Sequence, residues 1–266
     1  MQFKKLNILY PKKRAIVTGA GSGLGFELTK LLAANDWQIL AIDLNVEKLR
    51  SLNLPKVEIS EFDITQKARF KSSLLEFCSH QDGVDVLFNN AGVGEGTLFQ
   101  DYALENWDWI IEINLKSVIL ATHTVLPFLL KVNSGSIVNM ASMAGIANLP
   151  KMSPYNVTKA GIISLSETLA HELSKTNVRV KCVMPTFFRS SVLQHSKGDK
   201  ETLQAARKVV SSSKLNSQEA AIIILSNLHS KNETLRFPLS AAGFFYSRRL
   251  IPSLYKYLIR RFLVKL

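Results

Sequence analysis

The chain has 266 residues, 47% hydrophobic and 20% charged, with two cysteines and a formal net charge of +12. That is enough apolar material for one sizeable core in one domain, and Cys78 and Cys182, far apart in apolar runs, read as buried reduced thiols rather than a disulfide framework. The opening MQFKKLNILYPKKR has no signal-peptide pattern, and no window approaches the roughly 18 continuous apolar residues of a spanning helix, so a cytoplasmic protein is expected.

The run Arg14 to Thr18 reads as a short β-strand that ends in a glycine-rich turn, Gly19-Ala20-Gly21-Ser22-Gly23-Leu24-Gly25. A helical pattern follows, with Leu28, Leu31, Leu32 and Trp37 as its apolar positions. Strand, glycine turn and helix in that order form a phosphate cradle: the glycines let backbone approach a pyrophosphate, and the helix N-terminus favours an anion. A second strand, Gln38 to Ile42, ends at Asp43, placed to accept hydrogen bonds from adenosine ribose hydroxyls, although a strand-end cap is the plainer reading. Asp43 would repel a 2′-phosphate, Leu44 offers no base to welcome one, and Ser22 adds no charge, so NAD is favoured over NADP.

A third strand (57–62) runs into Asp63-Ile64 and a helix over 66–80. A fourth (84–88) ends in Asn89-Asn90-Ala91-Gly92. A long helical pattern over about 104–131 carries Asn114 in its middle, and a fifth strand (136–140) runs into Ser142. The helix over 154–174 carries Tyr155 and Lys159, four apart and therefore on one face. A free tyrosine, with a pKa of roughly 10, is a poor acid near neutrality. A neighbouring ammonium would pull that value down, and Ser142 can donate to a carbonyl that Tyr155 protonates. A sixth strand (178–184) ends Pro185-Thr186. A variable segment (191–216), a helix (217–229) and a short strand near 235–238 complete the pattern. Alternating strands and helices predict an α/β fold with a parallel sheet covered on both faces.

These motifs together resemble the short-chain dehydrogenase/reductase family over residues 12 to about 240: TGAGSGLG at 18–25, Asp43, Asp63, NNAG at 89–92, Asn114, Ser142, YNVTK at 155–159 and Pro185. The resemblance implies a Rossmann fold, a doubly wound seven-stranded parallel sheet, a nicotinamide cofactor and a catalytic tetrad of Asn114, Ser142, Tyr155 and Lys159. Tyr155 would be the general acid/base. Lys159 would lower its pKa and bond the nicotinamide ribose, Ser142 would steady the substrate oxygen, and Asn114 would hold a water linking Lys159 to solvent. Gly19, Ser22, Gly23, Leu24 and Gly25 would meet the pyrophosphate, and Asp63 and Ile64 would flank the adenine. Asn90, Ala91 and Gly92 would line the crevice, with Pro185 and Ser190 near the nicotinamide amide. No metal is assigned. One departure is Thr186, where the family has glycine; threonine does not freely take positive φ, which puts the loop geometry there in question.

The implied activity is an NAD(P)-dependent interconversion of an alcohol and a ketone or aldehyde; the alternative is a catalytically idle dinucleotide-binding sensor or assembly subunit. Ala144, Ala147, Leu149, Met152, Phe187, Phe188, Val192 and Leu193 would give an apolar pocket for a small hydrophobic substrate, or simply pack a lid. We expect a homodimer or homotetramer, with residues 1–242 forming one oxidoreductase domain and 243–266 a basic extension. From Lys231 onward eight Lys and Arg face the single acid Glu233, a local excess of +7. After Pro252, Leu254, Leu258, Phe262 and Leu266 recur every four residues among Lys256, Arg260 and Arg261. This basic amphipathic helix suits an anionic membrane surface through residues 247–266, which would make the protein peripherally membrane-associated, or it suits packing on a protein. Nucleic acid is not expected, because no aromatic platform accompanies the charge.

Overall fold

The inner strand-forming runs are short and largely apolar on both sides, the composition of strands covered on both faces. In the computed structural model, which describes residues 4–80, 83–238 and 240–262, they become β1 (Arg14–Thr18), β2 (Gln38–Asp43), β3 (Val57–Glu61), β4 (Val86–Asn89), β6 (Gly135–Met140), β7 (Val178–Pro185) and β9 (Thr234–Phe237). They pair in the order β3-β2-β1-β4-β6-β7-β9, every neighbour parallel. The chain runs outward from β1 to β3, then returns to β4 on the other side of β1. The crevice at this switch point lies between the glycine turn and Asn89-Asn90-Ala91-Gly92.

The helices are α1 (Lys4–Leu9), α2 (Gly23–Ala33), α3 (Glu47–Arg50), α4 (Lys67–Ser79), α5 (Leu104–Ile111), α6 (Ser117–Val132), α7 (Ala144–Ala147), α8 (Ser153–Glu172), α9 (Lys200–Ser212), α10 (Ser217–Asn227), α11 (Ser240–Leu250) and α12 (Pro252–Phe262). Strand alternation divides the core. Ala15 and Val17 face Leu28, Leu32 and Ile224 of α2 and α10, while Ile16 faces Phe70, Leu74 and Val125 of α4 and α6. Each such fully buried Val, Ile or Leu contributes about 1.5–3 kcal/mol.

Several elements differ from the sequence-based expectation. The 104–131 pattern is not one regular helix, because a π-helical turn, Glu112–Lys116, separates α5 from α6. The whole run, Leu104–Val132, also corrects the expectation that no candidate spanning window exists, since it is long and apolar enough to cross a membrane by length and composition. Its apolarity has a core explanation: Ile110, Ala121, Val125 and Leu129 are fully buried. The variable segment contains α9, capped by Asp199, whose carboxylate accepts from Thr202 N (2.7 Å) and Thr202 Oγ1 (2.8 Å). Two short strands, β5 (Glu95–Gly96) and β8 (Lys197–Gly198), pair in parallel and staple that segment to the loop after β4. No local periodicity announces a two-residue ladder. α1 is set by tertiary contact: Leu6 and Tyr10 are buried, and the Tyr10 and Ser136 hydroxyls bond at 2.6 Å.

Candidate active site

β1 delivers the glycine turn to the carboxyl edge of the sheet. Gly19 has φ +68°, and a Cβ there would lie 2.8 Å from Ala91 Cα; one on Gly25 would lie 2.0 Å from the Gly19 carbonyl oxygen. Only glycine allows the turn, the NNAG segment and the first turn of α2 to close this tightly. The Ser22 side chain makes no capping bond to α2, so the helix N-terminus stays open to an anion. Leu24 is buried in the core, so only its backbone can face a cofactor. These features fit the pyrophosphate of a dinucleotide.

Asp43 does more than await a ribose. Its Oδ2 accepts from Gly21 N (2.8 Å) and its Oδ1 from Asn45 N (3.0 Å), so the carboxylate helps shape the glycine turn. Each oxygen keeps a second lone pair for a hydroxyl. Leu44 beside it is 64% exposed and brings no charge. Asp63 accepts from Thr65 N (2.9 Å), fixing the turn after β3, and Ile64 is buried beside it.

Asn90 sits at the end of β4 and donates through Nδ2 to the carbonyls of Thr18 (2.9 Å) and Gly19 (3.1 Å). Thr18 returns the link: its Oγ1 accepts from Asn90 N and Ala91 N, both at 3.0 Å. Thr18 belongs to the glycine motif, yet sequence reasoning assigned it no role. Asn139 was also missed. Its Oδ1 accepts from Asn89 Nδ2 (2.8 Å) and its Nδ2 donates to Ser166 Oγ (3.0 Å), tying β4, β6 and α8 together. The available signal was an amide inside the otherwise apolar strand running into Ser142.

The π-turn explains how Asn114 reaches the site. The extra residue in the turn rotates Asn114 inward, where it is buried and doubly bonded to Val93: Val93 N donates to Oδ1 (2.8 Å) and Nδ2 donates to Val93 O (2.9 Å). Nδ2 also reaches Thr158 Oγ1 (3.3 Å) on α8. Lys159 is buried one helical turn from Tyr155, and its Nζ donates to the Met140 carbonyl (2.7 Å). A Cβ on Gly92 would lie 3.3 Å from Asn114 Oδ1 and 3.5 Å from Lys159 Nζ, so both groups share the crevice floor. Burial lowers the Lys159 pKa to about 8.

Ser142 Oγ accepts from Ala144 N (3.1 Å) at the start of α7, and its hydroxyl is near enough to Tyr155 to pull that group's pKa down. The expectation that Lys159 pulls the tyrosine down is not met in this geometry. Burial raises the Tyr155 pKa and the Ser142 hydroxyl only partly opposes it. The ammonium lies 5.6 Å from the ring centroid and is aimed at Met140 O. The tetrad side chains are nevertheless brought to one crevice.

Pro185 is buried, and its carbonyl accepts from Met143 N (2.9 Å). Thr186 is not among the residues with positive φ, and its N–H donates to Phe237 O (3.0 Å), so the loop needs no glycine there. Ser190 is half-buried in the strap that follows, where the neighbouring Ser191 donates to Ser22 Oγ (2.9 Å) and so crosses the glycine turn. Of the expected pocket residues, Ala144 and Ala147 are buried under the cleft, and Phe187 is 40% exposed. Phe188 turns away to pack on Phe237, with ring centroids 6.3 Å apart, which removes it from the pocket. Glu95, unassigned from sequence, is 3% exposed with neither carboxylate oxygen hydrogen-bonded, and burial raises its pKa against the pull of Lys197.

The short chain dehydrogenase family model matches residues 13–201. The 3-oxoacyl-acyl-carrier-protein reductase FabG of Thermotoga maritima is 35% identical over 188 residues, 68% of this chain and 76% of that protein. Its namesake from Chlamydia muridarum is 32% identical over 189 residues, with the same coverage of each chain. A short chain dehydrogenase/reductase from Burkholderia phymatum, solved in complex with NAD, superposes with a TM-score of 0.82 at 25% identity, covering 91% of this chain and 94% of that one. A short-chain dehydrogenase from Streptomyces avermitilis has the same fold, with a TM-score of 0.81 at 24% identity over 95% and 97% of the two chains.

Proposed function

Because the chain belongs to the short-chain dehydrogenase family, and is therefore an NAD(P)-dependent oxidoreductase of the alcohol–carbonyl pair, we propose that it acts on a small hydrophobic alcohol or ketone, prefers NAD, and uses Tyr155 as its general acid/base. The single observation that supports this best is the shared crevice floor of Asn114 and Lys159, with Lys159 buried one helical turn from Tyr155. A nicotinamide cofactor, when bound, supplies or accepts the hydride. In the reducing direction the Tyr155 hydroxyl gives its proton to the substrate oxygen, and the Ser142 hydroxyl donates to the same oxygen. The Lys159 ammonium, oriented by Met140 O, would bond the cofactor ribose. Asn114, Thr158 and Val93 hold the floor in register. Asp43 and uncharged Leu44 support NAD over NADP through like-charge repulsion of a 2′-phosphate.

In this reading residues 1–242 are the catalytic unit, 243–266 are an extension, and the enzyme is a cytoplasmic homodimer or homotetramer. The test is NADH oxidation with linear ketones of increasing chain length, by the parent and by Tyr155→Phe. The expected result is a kcat/KM that climbs with chain length and vanishes in the variant, with NADH binding intact. Binding of NADH without turnover of any carbonyl would instead favour the idle dinucleotide-binding protein.

A further inference from the structure

α11 and α12 follow the last strand and turn back onto the segment after Ser142. Phe245 packs against the apolar cluster of Ala141, Met143 and Met184, under the serine-bearing segment, with the Arg236 guanidinium 3.9 Å from its ring centroid. Tyr255 is 8% exposed and donates to Ala147 O (2.8 Å), the last residue of α7. Ser142 Oγ accepts from Ala144 N at the other end of that helix, so α12 is held about 6 Å of helix away from a proposed catalytic hydroxyl.

With Tyr255 turned inward, the flank of α12 beside it is left bare. Leu250, Ile251, Leu254, Tyr257 and Leu258 are between 43% and 73% exposed, and Leu254, Tyr257 and Leu258 form an apolar stripe on α12. Arg249, Lys256, Arg260 and Arg261 are exposed around it, and no Asp or Glu occurs after Glu233. Exposed Leu98, Phe99 and Phe187 lie on the loops after β4 and β7, at the carboxyl end of the sheet where α11 also begins. Large exposed apolar side chains fringed by one sign of charge mark a docking surface.

We propose that this face docks on an anionic lipid surface and presents the mouth of the active site to the bilayer, so that the substrate is an alcohol or ketone dissolved in lipid. The proposal rests on the hydrophobic-substrate reading above for its second half only. Charge selects the occupant. A second copy of the same helix pair would bring one acid-free basic segment against another, whereas an anionic leaflet neutralises the basic residues as the apolar stripe is buried.

The full-length protein is sedimented with phosphatidylcholine vesicles and with an equal mixture of phosphatidylcholine and phosphatidylglycerol, beside a Leu254→Glu/Leu258→Glu variant. NADH titration and turnover of a short soluble ketone confirm that the variant is folded. The expected result is binding about tenfold stronger to the mixed vesicles, lost about tenfold in the variant. Turnover of a long-chain ketone carried in those vesicles should fall in parallel, while turnover of the soluble ketone stays unchanged. Equal sedimentation of parent and variant overturns the proposal, as does a sizing-column shift from oligomer to monomer in the variant, which would assign the stripe to a second copy. If the parent reduces neither ketone, the functional reading fails, and sedimentation still decides the lipid surface.

Discussion

The floor of the site and its C-terminal rim are built on opposite terms. On the floor, Thr18, Asn90, Asn114, Asn139 and Lys159 are tied by several hydrogen bonds each or buried outright, and their partners lie on β1, β4, β6 and α8. On the rim, α9 buries no side chain, and α12 buries Tyr255 alone among its described side chains. A floor bonded many times over holds reacting groups in register, because no single contact can relax without unpairing buried polar atoms. A rim with few buried contacts opens at little cost, which is where substrate entry and partner choice can vary without disturbing the chemistry.

The strongest attack on the floor is Lys159→Met. It should cut kcat by about 10²–10⁴-fold, because the buried donor that would hold the cofactor ribose beside Tyr155 is lost. The same residue gives a pH signature. Its folded pKa of about 8 lies below the ordinary 10.5, so between those values the unfolded chain holds a proton that the folded chain has released. Raising the pH through that window therefore stabilises the fold, and the share due to Lys159 is lost in the variant while that of Lys181, also lowered to about 8 by burial, remains. Buried Cys182, with its thiol pushed up to about 12, works in the opposite direction once the unfolded thiol ionises near 9. The clean comparison is thus the slope of Tm against pH between about 8 and 9 for parent and Lys159→Met. Parallel slopes would show that Lys159 is not the group responsible. In the enzyme itself, Lys159 loses its charge above about pH 8 and its hold on the cofactor ribose should weaken, read as a rising KM for NADH.

Asn114→Ala should cost about 2–4 kcal/mol of stability, since it leaves the N–H and carbonyl of Val93 buried without their partners. Urea unfolding measures this, and a loss below about 1 kcal/mol would mean that the loop after β4 finds other bonds. Asp43→Ala should narrow the preference for NADH over NADPH by about tenfold, the effect of removing one like charge near a phosphate. Because Asp43 also holds Gly21 and Asn45, both affinities should drop somewhat. An unchanged ratio in fluorescence titrations would leave the carboxylate only its turn-shaping role.

The smallest effect belongs to the rim. Tyr255→Phe removes one hydrogen bond to Ala147 O and should cost about 1 kcal/mol, with kcat on a soluble ketone within about twofold of the parent. A large loss of kcat would erase the distinction between floor and rim, because it would show that α12 sets the position of Ser142 through α7.

Much of the floor was legible because its signals are local. A glycine turn between a strand and a helix, an acid at the end of the next strand, and Tyr155 with Lys159 one helical turn apart depend on covalent spacing alone. What spacing cannot express is which distant group meets which. The inward rotation of Asn114 needed a π-turn inside an unbroken helical pattern. The upward direction of the Tyr155 pKa followed from burial and from where the Lys159 ammonium points. Phe188 went to the core while Phe187 stayed at the surface, although both are equally apolar in sequence. The C-terminal helix shows the division most plainly. Its amphipathic period and its charge come from the sequence, but only the packing of Tyr255 against Ala147, 108 positions earlier, decides which face is buried and which is left for a partner. Local propensity is set by neighbours along the chain, whereas burial and long-range hydrogen bonds exist only once the chain has folded on itself.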